Sequence, residues 1–341
     1  MDSSNDVLEQ KSKLYQAAMR VKELAPWHWM HESDLFGVQN PETEEIGFVS
    51  VMGELGEHVA IALYLGVDGL DGFWRIYSSG ADYPEAILEV PQLQASFEDR
   101  RDLTLEDREE IEDLGLEFHD RKAWPLFRSI RPGHYPWFLE PQEAQFLIWA
   151  LEQVMVVAPR VRENPDLLMA EDTETYLVRA AEESEGGLLW EDRVMEIPES
   201  EPDFISITMD RQLLRRLKRL PQKGITMEID LFLFPAKIGK EGERPRCAYA
   251  LMVVDGKRGF VLRNEILEPQ PTFKDMYGEV PLVVADLLAE TELIPTTVKV
   301  RSELLQRLLK PLTGELGIRL KWGSSLPYLD AAKDFLFRQF G

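Results

Sequence analysis

The residues best suited to chemistry gather early in the chain. His28 and His31 stand three apart, with Glu32 and Asp34 close by. On a helix, two imidazoles at that spacing share a face and can grip zinc. Pro26 and the neighbouring Trp27 and Trp29 argue against a regular helix, so the default is two half-exposed histidines in an aromatic segment. Glu54, Glu57 and His58 have the residue types of a carboxylate–histidine metal helix. That chemistry needs Glu-x-x-His, however, and Gly53 and Gly56 point to a turn. The single cysteine, Cys247, lies in a Cys-Ala-Tyr-Ala-Leu-Met run that reads as a strand and predicts a buried, inert thiol. The sequence holds no G-x-S-x-G elbow, no phosphate-binding P-loop and no G-x-G-x-x-G turn, and His119, Asp120 and His134 have no recognisable partners. No catalytic residue, metal or cofactor is therefore assigned. An enzyme remains the alternative: a hydrolase or metal-dependent enzyme whose acidic residues meet His28, His31 or His58 only in three dimensions. Whether Glu54, Glu57 and segment 27–34 line one cleft decides it.

Two candidate binding surfaces remain. Over residues 210–220, Leu213, Leu214, Leu217 and Leu220 form one helix face, and Arg211, Arg215 and Lys218 form the other, flanked by Arg216 and Arg219. A matching helix further on carries Arg307 and Lys310 on its polar side. The plain reading is a solvated face; the sharper one is an anionic partner. The second candidate is the aromatic segment 27–36, with Trp27 and Trp29 as binding residues, since indoles are common in contact surfaces.

Charge separates these two regions. The 341 residues carry 38 basic and 61 acidic side chains, a net −23. Residues 1–200 hold 16 basic against 42 acidic, a balance of −26, and residues 201–341 hold 22 against 19, a balance of +3. Nucleic-acid binding is thus disfavoured for residues 1–200 and remains a second alternative for the rest, because phosphates reward clustered cations. A lone cysteine excludes a disulfide framework, and no apolar run approaches membrane length. A soluble, cytoplasmic protein is expected, with no membrane contact.

Elements that position these residues follow from periodicity. Residues 6–25 read as an amphipathic helix ended by Pro26. Strands are predicted at 35–39, 46–52, 58–65, 93–97, 124–130, 176–181 and 188–197, the last two joined by a glycine turn at 184–187. Helices are predicted at 69–78, at 104–114 behind a Thr104…Asp107 capping box, and at 141–157 with Pro141 at its start. The polar, proline-containing stretch 196–203 reads as a linker. Beyond it, residues 207–227 and 298–320 spell the same order twice: strand, helix, glycine, strand. A helical crossover between strands favours a parallel unit. Between the copies lies a strand–turn–strand at 249–267 with Asp255-Gly256 at the turn, then a helix at 281–291; a final helix spans 328–340. The expected architecture is an acidic α+β domain over 1–197 with a mainly antiparallel sheet. It is followed by an α/β domain over 203–341 with two βαβ-like units, 204–230 and 296–322, in a mixed sheet.

Two stretches resemble a known group. Trp27, Trp29 and Met30, Phe36-Gly37-Val38-Gln39-Asn40-Pro41-Glu42-Thr43, Val51-Met52-Gly53 and Leu63-Tyr64-Leu65-Gly66 resemble the N-terminal module of uncharacterised bacterial two-module proteins. Gly317-Ile318 and Ser325-Leu326-Pro327 with Leu329 and Asp330 resemble their second module. The resemblance implies a bacterial-type protein and transfers no catalytic residue. The function expected is that of a binding or interaction protein. Its contact surfaces would be the acidic first module and the basic helix, with an anionic or protein partner, or self-association.

Overall fold

The computed structural model describes residues 2–54, 56, 58–79, 84–169, 175–197, 204–240 and 242–339. The chain forms two compact units, residues 1–132 with 136–201, and residues 133–135 with 202–341. Among the described residues, no helix is long and apolar enough to cross a membrane.

The first unit opens with α1 (Asp2–Leu24), then β1 (Phe36–Gln39), β2 (Ile46–Met52), β3 (Ala60–Leu65) and α2 (Gly66–Ser79). It continues through β4 (Gln92–Glu98), α3 (Leu105–Asp113), β5 (Trp124–Ile130), α4 (Pro141–Glu163), β6 (Thr175–Ser184) and β7 (Gly187–Glu196). The seven strands form one sheet in the order β5-β4-β3-β2-β1-β6-β7. Every pairing is antiparallel except β1 with β6. The alternation of a strand sorts its side chains between two cores. Leu93, Ala95 and Phe97 of β4 join Leu14, Val21, Leu147, Leu151 and Val154 of α1 and α4. On the other face, Phe48, Ala62 and Tyr64 pack against Leu70 and Phe73 of α2. Two local signals act as the sequence suggests. Asn40 Oδ1 accepts from the Glu42 and Thr43 N–H groups, which turns the chain between β1 and β2. Thr104 and Asp107 make both bonds of a capping box at the start of α3.

The second unit contains α5 (Arg211–Leu217), β8 (Gln222–Ile238), β9 (Arg246–Asp255), β10 (Val261–Leu267) and α6 (Phe273–Glu290). It ends with β11 (Ile294–Val300), α7 (Glu303–Glu315), β12 (Arg319–Trp322) and α8 (Pro327–Phe337). Its mixed sheet runs β10-β9-β8-β11-β12. The β8–β11 and β11–β12 pairs are parallel, and the β8–β9 and β9–β10 pairs antiparallel. One face packs on α6, where the Tyr249 and Phe273 rings lie 5.6 Å apart. On the other, Phe232, Phe234, Ala250 and Met252 meet Leu326 and Leu329 at the start of α8.

The second copy of the repeated pattern is a complete β11–α7–β12 crossover, with Gly317 at φ +64 just past its helix. The first copy departs from the pattern. Residues 207–209 belong to no sheet. The Thr208 N–H donates to the Gly278 carbonyl of α6 (2.9 Å), and a Cβ on Gly278 would stand only 2.3 Å from Ser206 O. The alternation of Ile205, Ile207 and Met209 is real, since all three are half-buried, but their cover is a helix rather than a neighbouring strand. Gly224, expected past the first helix, lies inside β8. The helix expected at 281–291 begins at Phe273. The Thr272 side chain accepts from the Asp275 N–H and starts it there, leaving Pro281 inside the helix instead of at its first turn. The expected linker is described only through residue 197; residues 198–203 lie outside the described residues.

Candidate functional site

Helix α5 is short and built from its caps. Asp210 Oδ1 accepts from the Gln212 and Leu213 N–H groups, and Leu217 is fully buried while Leu213 and Leu214 are half-buried. That anchoring turns Arg211, Arg215, Lys218 and Arg219 outward, all exposed, with Lys218 and Arg219 in the turn after the helix. Lys218 pairs with Glu315 of α7. Arg216 donates to the Ala289 carbonyl (3.4 Å) and lies 3.9 Å from Glu292. Arg215 Nε donates to the Arg211 carbonyl (3.2 Å). Among the described residues, none of Arg211, Arg215 and Arg219 has a carboxylate partner. Four apart along the chain, they form one exposed stripe of unneutralised guanidinium groups.

The structure places Trp27 in the first unit's core and packs the half-buried Trp29 against it. Trp27 is only 9 % exposed, with its ring 5.8 Å from Phe97. The Trp29 indole N–H donates to the Ala158 carbonyl of α4 (2.9 Å), and the Arg162 guanidinium lies 5.0 Å over its ring. Both indoles fasten the segment after α1 and present little surface to a partner.

The histidines separate. His28 closes a single 3-10 turn (Pro26–His28), so it and His31 share no helix. His31 Nδ1 lies 3.0 Å from Glu54 Oε2, which brings segment 27–34 and Glu54 together; Glu57 lies outside the described residues. The hydrogen bond that the ring donates to the Glu54 carboxylate, together with that group's charge, raises the His31 pKa above its ordinary value. His58 turns to β4, its ring nitrogens 3.5 Å from Glu98 and 3.1 Å from Gln94. Among the described residues, no three His, Cys, Asp or Glu side chains stand close enough to hold a metal ion. Cys247, on β9, is fully buried, and burial pushes its thiol pKa up to about 11.

Three features escape a reading of residue types. The first is a charged network beneath α8. Glu228 of β8 is fully buried, and its Oε2 accepts from the Tyr328 and Leu329 N–H groups, each at 3.0 Å. Beside it, Arg301, just past β11, bridges Asp230 (3.0 Å from Nε) and Asp330. Burial raises the Asp230 carboxyl pKa against the pull of that guanidinium. With 61 acidic residues in the chain, no spacing marks these three out. The second is an open depression of about 690 Å³ beside α3, where the Arg100 guanidinium lies over the Trp124 ring at 5.7 Å and Arg101 and Arg121 pair with Asp99. The third is the open edge of the seven-stranded sheet. Among the described residues, strand β7 pairs only with β6, and Leu189 and Val194 are 61 % and 77 % exposed. A groove of about 490 Å³ runs beside it, lined by Trp149, Met155 and Val156 of α4 and by Leu188 and Trp190 of β7. A signal for that edge was present: residues 187–196 do not alternate cleanly between apolar and polar.

Fold and site together define a two-module chain, a mainly antiparallel α+β unit followed by a mixed-sheet unit. Residues 12–179 match the family model described as Domain of unknown function (DUF7309), and residues 213–337 match that described as Domain of unknown function (DUF6930). No curated protein matches the chain.

Proposed function

We propose that the protein is a cytoplasmic, bacterial-type interaction protein that binds an acidic polypeptide surface through its second unit. The observation that carries this reading is the Arg211–Arg215–Arg219 stripe. It is exposed and unneutralised, whereas nearby Lys218 and Arg216 have carboxylates of their own chain within reach. Exposed guanidinium groups gain most from a partner that supplies carboxylates at matching spacing, because the planar fork takes a carboxylate bidentately. The single thiol, buried in β9, suits a reducing compartment.

The test uses the full chain and a fluorescent poly-glutamate peptide, with an oligonucleotide of equal charge as the comparison. Anisotropy should report peptide binding at about 50 mM salt and its loss at about 500 mM, where screening is severe. The triple variant Arg211→Glu, Arg215→Glu, Arg219→Glu should bind neither ligand. Peptide affinity unchanged in the triple variant refutes the reading. Binding of the oligonucleotide alone replaces it with nucleic-acid recognition.

A further inference from the structure

We propose that β7 is the pairing edge of a homodimer, joining antiparallel to β7 of a second copy with Asp192 on the two-fold axis. This proposal is independent of the arginine stripe and concerns the other unit.

Sheet edges are hazards, and proteins usually blunt them with prolines, lysines, bulges or shortness. The other three edges of this protein show such devices. Strand β5 contains Pro125, and Ser129 of β5 exchanges backbone bonds with Trp137 on its outer side (2.8 and 3.0 Å). Strand β10 carries a register shift between Val261 and Arg263, and β12 is four residues long. Strand β7 has ten residues with no proline, no bulge and an unbroken register against β6 from Gly187 to Glu196; its charges, Glu191, Asp192, Arg193 and Glu196, are of both signs and can answer one another across a two-fold axis. Among the described residues, it alone of the four edges is long, regular and without a backbone partner on its outer side.

Hydrogen-bond geometry fixes which residues face outward. The β6–β7 hairpin turns on two residues between Ser184 and Gly187, with Gly187 at φ +110. In such a hairpin the flanking pair is hydrogen-bonded, and the alternation continues along the ladder. Gly187, Leu189, Glu191, Arg193 and Met195 therefore bond to β6. Leu188, Trp190, Asp192, Val194 and Glu196 send their N–H and C=O groups to the open side, where the Trp190 carbonyl already accepts one bond from the Arg179 guanidinium (3.1 Å) and keeps its second lone pair for a partner.

The side chains then select the register. A two-fold axis normal to the sheet keeps each face continuous, so it must pass through one residue. Centred on Glu191 it sets that carboxylate on its own copy, and centred on Arg193 it does the same with a guanidinium; like charges directly opposite are destabilising. Centred on Asp192, Glu191 faces the partner's Arg193 and Arg193 faces the partner's Glu191. On the same face Leu189 meets the partner's Met195. On the α4 face Trp190 meets the partner's Val194, placed at the mouth of the groove. The residue left on the axis is the acid best neutralised within its own chain: Asp192 holds Arg160 of α4 and Arg179 of β6, whose N–H groups donate to its Oδ1 at 3.1 and 2.5 Å, whereas Glu191 shares the single Arg193 with Glu182. Those guanidinium groups hold the Asp192 carboxyl below the usual carboxylate range. The exposed Leu189 and Val194 are then the residues such a dimer covers.

The experiment measures the solution mass of the full chain by sedimentation. Wild type should sediment at twice the chain mass of 39.3 kDa at tens of micromolar. Glu191→Arg and Arg193→Glu are both exposed positions, and circular dichroism checks that each variant folds. Each alone puts like charges across both ion-pair positions and should yield monomer. Mixed in equal amounts, the two variants complement one another and should return to the dimer mass. A monomeric wild type, or single variants that stay dimeric, overturns the proposal. Single variants that become monomeric but do not recombine overturn the Asp192-centred register.

Discussion

Replacing Glu228 with alanine removes the acceptor of two backbone donors at once. Tyr328 and Leu329 stand in the first turn of α8, and both N–H groups end on one buried carboxylate oxygen at 3.0 Å. A hydrogen bond to a charged group contributes about 1.5–3 kcal/mol, and breaking a buried charged contact costs about 3–5 kcal/mol. The partners of Glu228 share one oxygen, and Lys299 stands 3.9 Å away and half-exposed, free to solvate. The lower end is therefore the appropriate figure, about 3 kcal/mol. Against it, α8 contributes one fully buried side chain, Leu329, with about 1.5–3 kcal/mol of apolar burial. The carboxylate thus holds the helix about as firmly as its deepest side chain does, and α8 should open locally before the sheet unfolds. About 3 kcal/mol is a little over two decades in an opening equilibrium. Native-state amide exchange on the intact chain measures it: the amides of α8 should lose protection roughly a hundredfold, while those of β8 and β9 keep theirs. Glu228→Gln retains one acceptor oxygen and should lose about tenfold. Less than about a threefold loss in α8 refutes the role assigned to the carboxylate, and an equal loss across β9 refutes the local opening.

Two further outcomes are expected. Burial alone would raise the Asp107 carboxyl, but the Arg128 fork (2.9 and 2.6 Å) and the Thr104 donors outweigh it and hold it below its ordinary value. Its stabilisation is therefore present above the unfolded carboxylate value and lost as pH falls through the folded one. Asp107→Asn should cost about 3 kcal/mol at neutral pH and flatten the acid limb of the urea-midpoint curve; an unchanged midpoint refutes the pairing. The His31 imidazole, raised by Glu54 at 3.0 Å, favours the fold in full below its unfolded pKa and loses that contribution as pH rises through the folded value. In Glu54→Gln its NMR titration should fall toward the ordinary histidine value, and an unmoved titration shows that the contact is absent in solution.

The parts of the fold legible in the sequence are those governed by local rules. The β6–β7 hairpin follows from a glycine turn between two strand-forming runs, and α3 from a threonine placed three residues before an aspartate. The misread parts share one cause: local pattern does not name its partner. Ile205, Ile207 and Met209 alternate as a strand would, yet α6 covers them. Trp27 and Trp29 read more readily as core than as binding residues, but their spelling names no neighbour; Trp27 packs on Phe97, and the Trp29 indole bonds the Ala158 carbonyl. Glu228 is spelled like any of 60 other acids, and only its pairing beside Lys299 of β11 and beneath α8 buries it. On α5 the helix face was legible, but which cations remain unneutralised was not. Lys218 and Arg216 meet Glu315 and Glu292, which lie more than 70 residues away in sequence.

The two proposed contacts rest on different physics, and ionic strength separates them. The arginine stripe is exposed on all sides and offers its partner charge alone, so its affinity must fall steeply once the screening length drops below about 10 Å. Pairing along β7 rests on outward backbone N–H and C=O groups and on Leu189, Trp190, Val194 and Met195, none of which salt weakens. Its Glu191–Arg193 pairs choose the register more than they supply affinity, since rim ion pairs contribute little. High salt should therefore leave a dimer that no longer holds an acidic partner, while the Glu191→Arg variant at low salt should leave a monomer that still does. A net −26 in the first 200 residues works against the dimer less at β7 than elsewhere, because Glu191 there meets Arg193, and Asp192 meets Arg160 and Arg179, which leaves Glu196 as the strand's acid without a cation among the described residues.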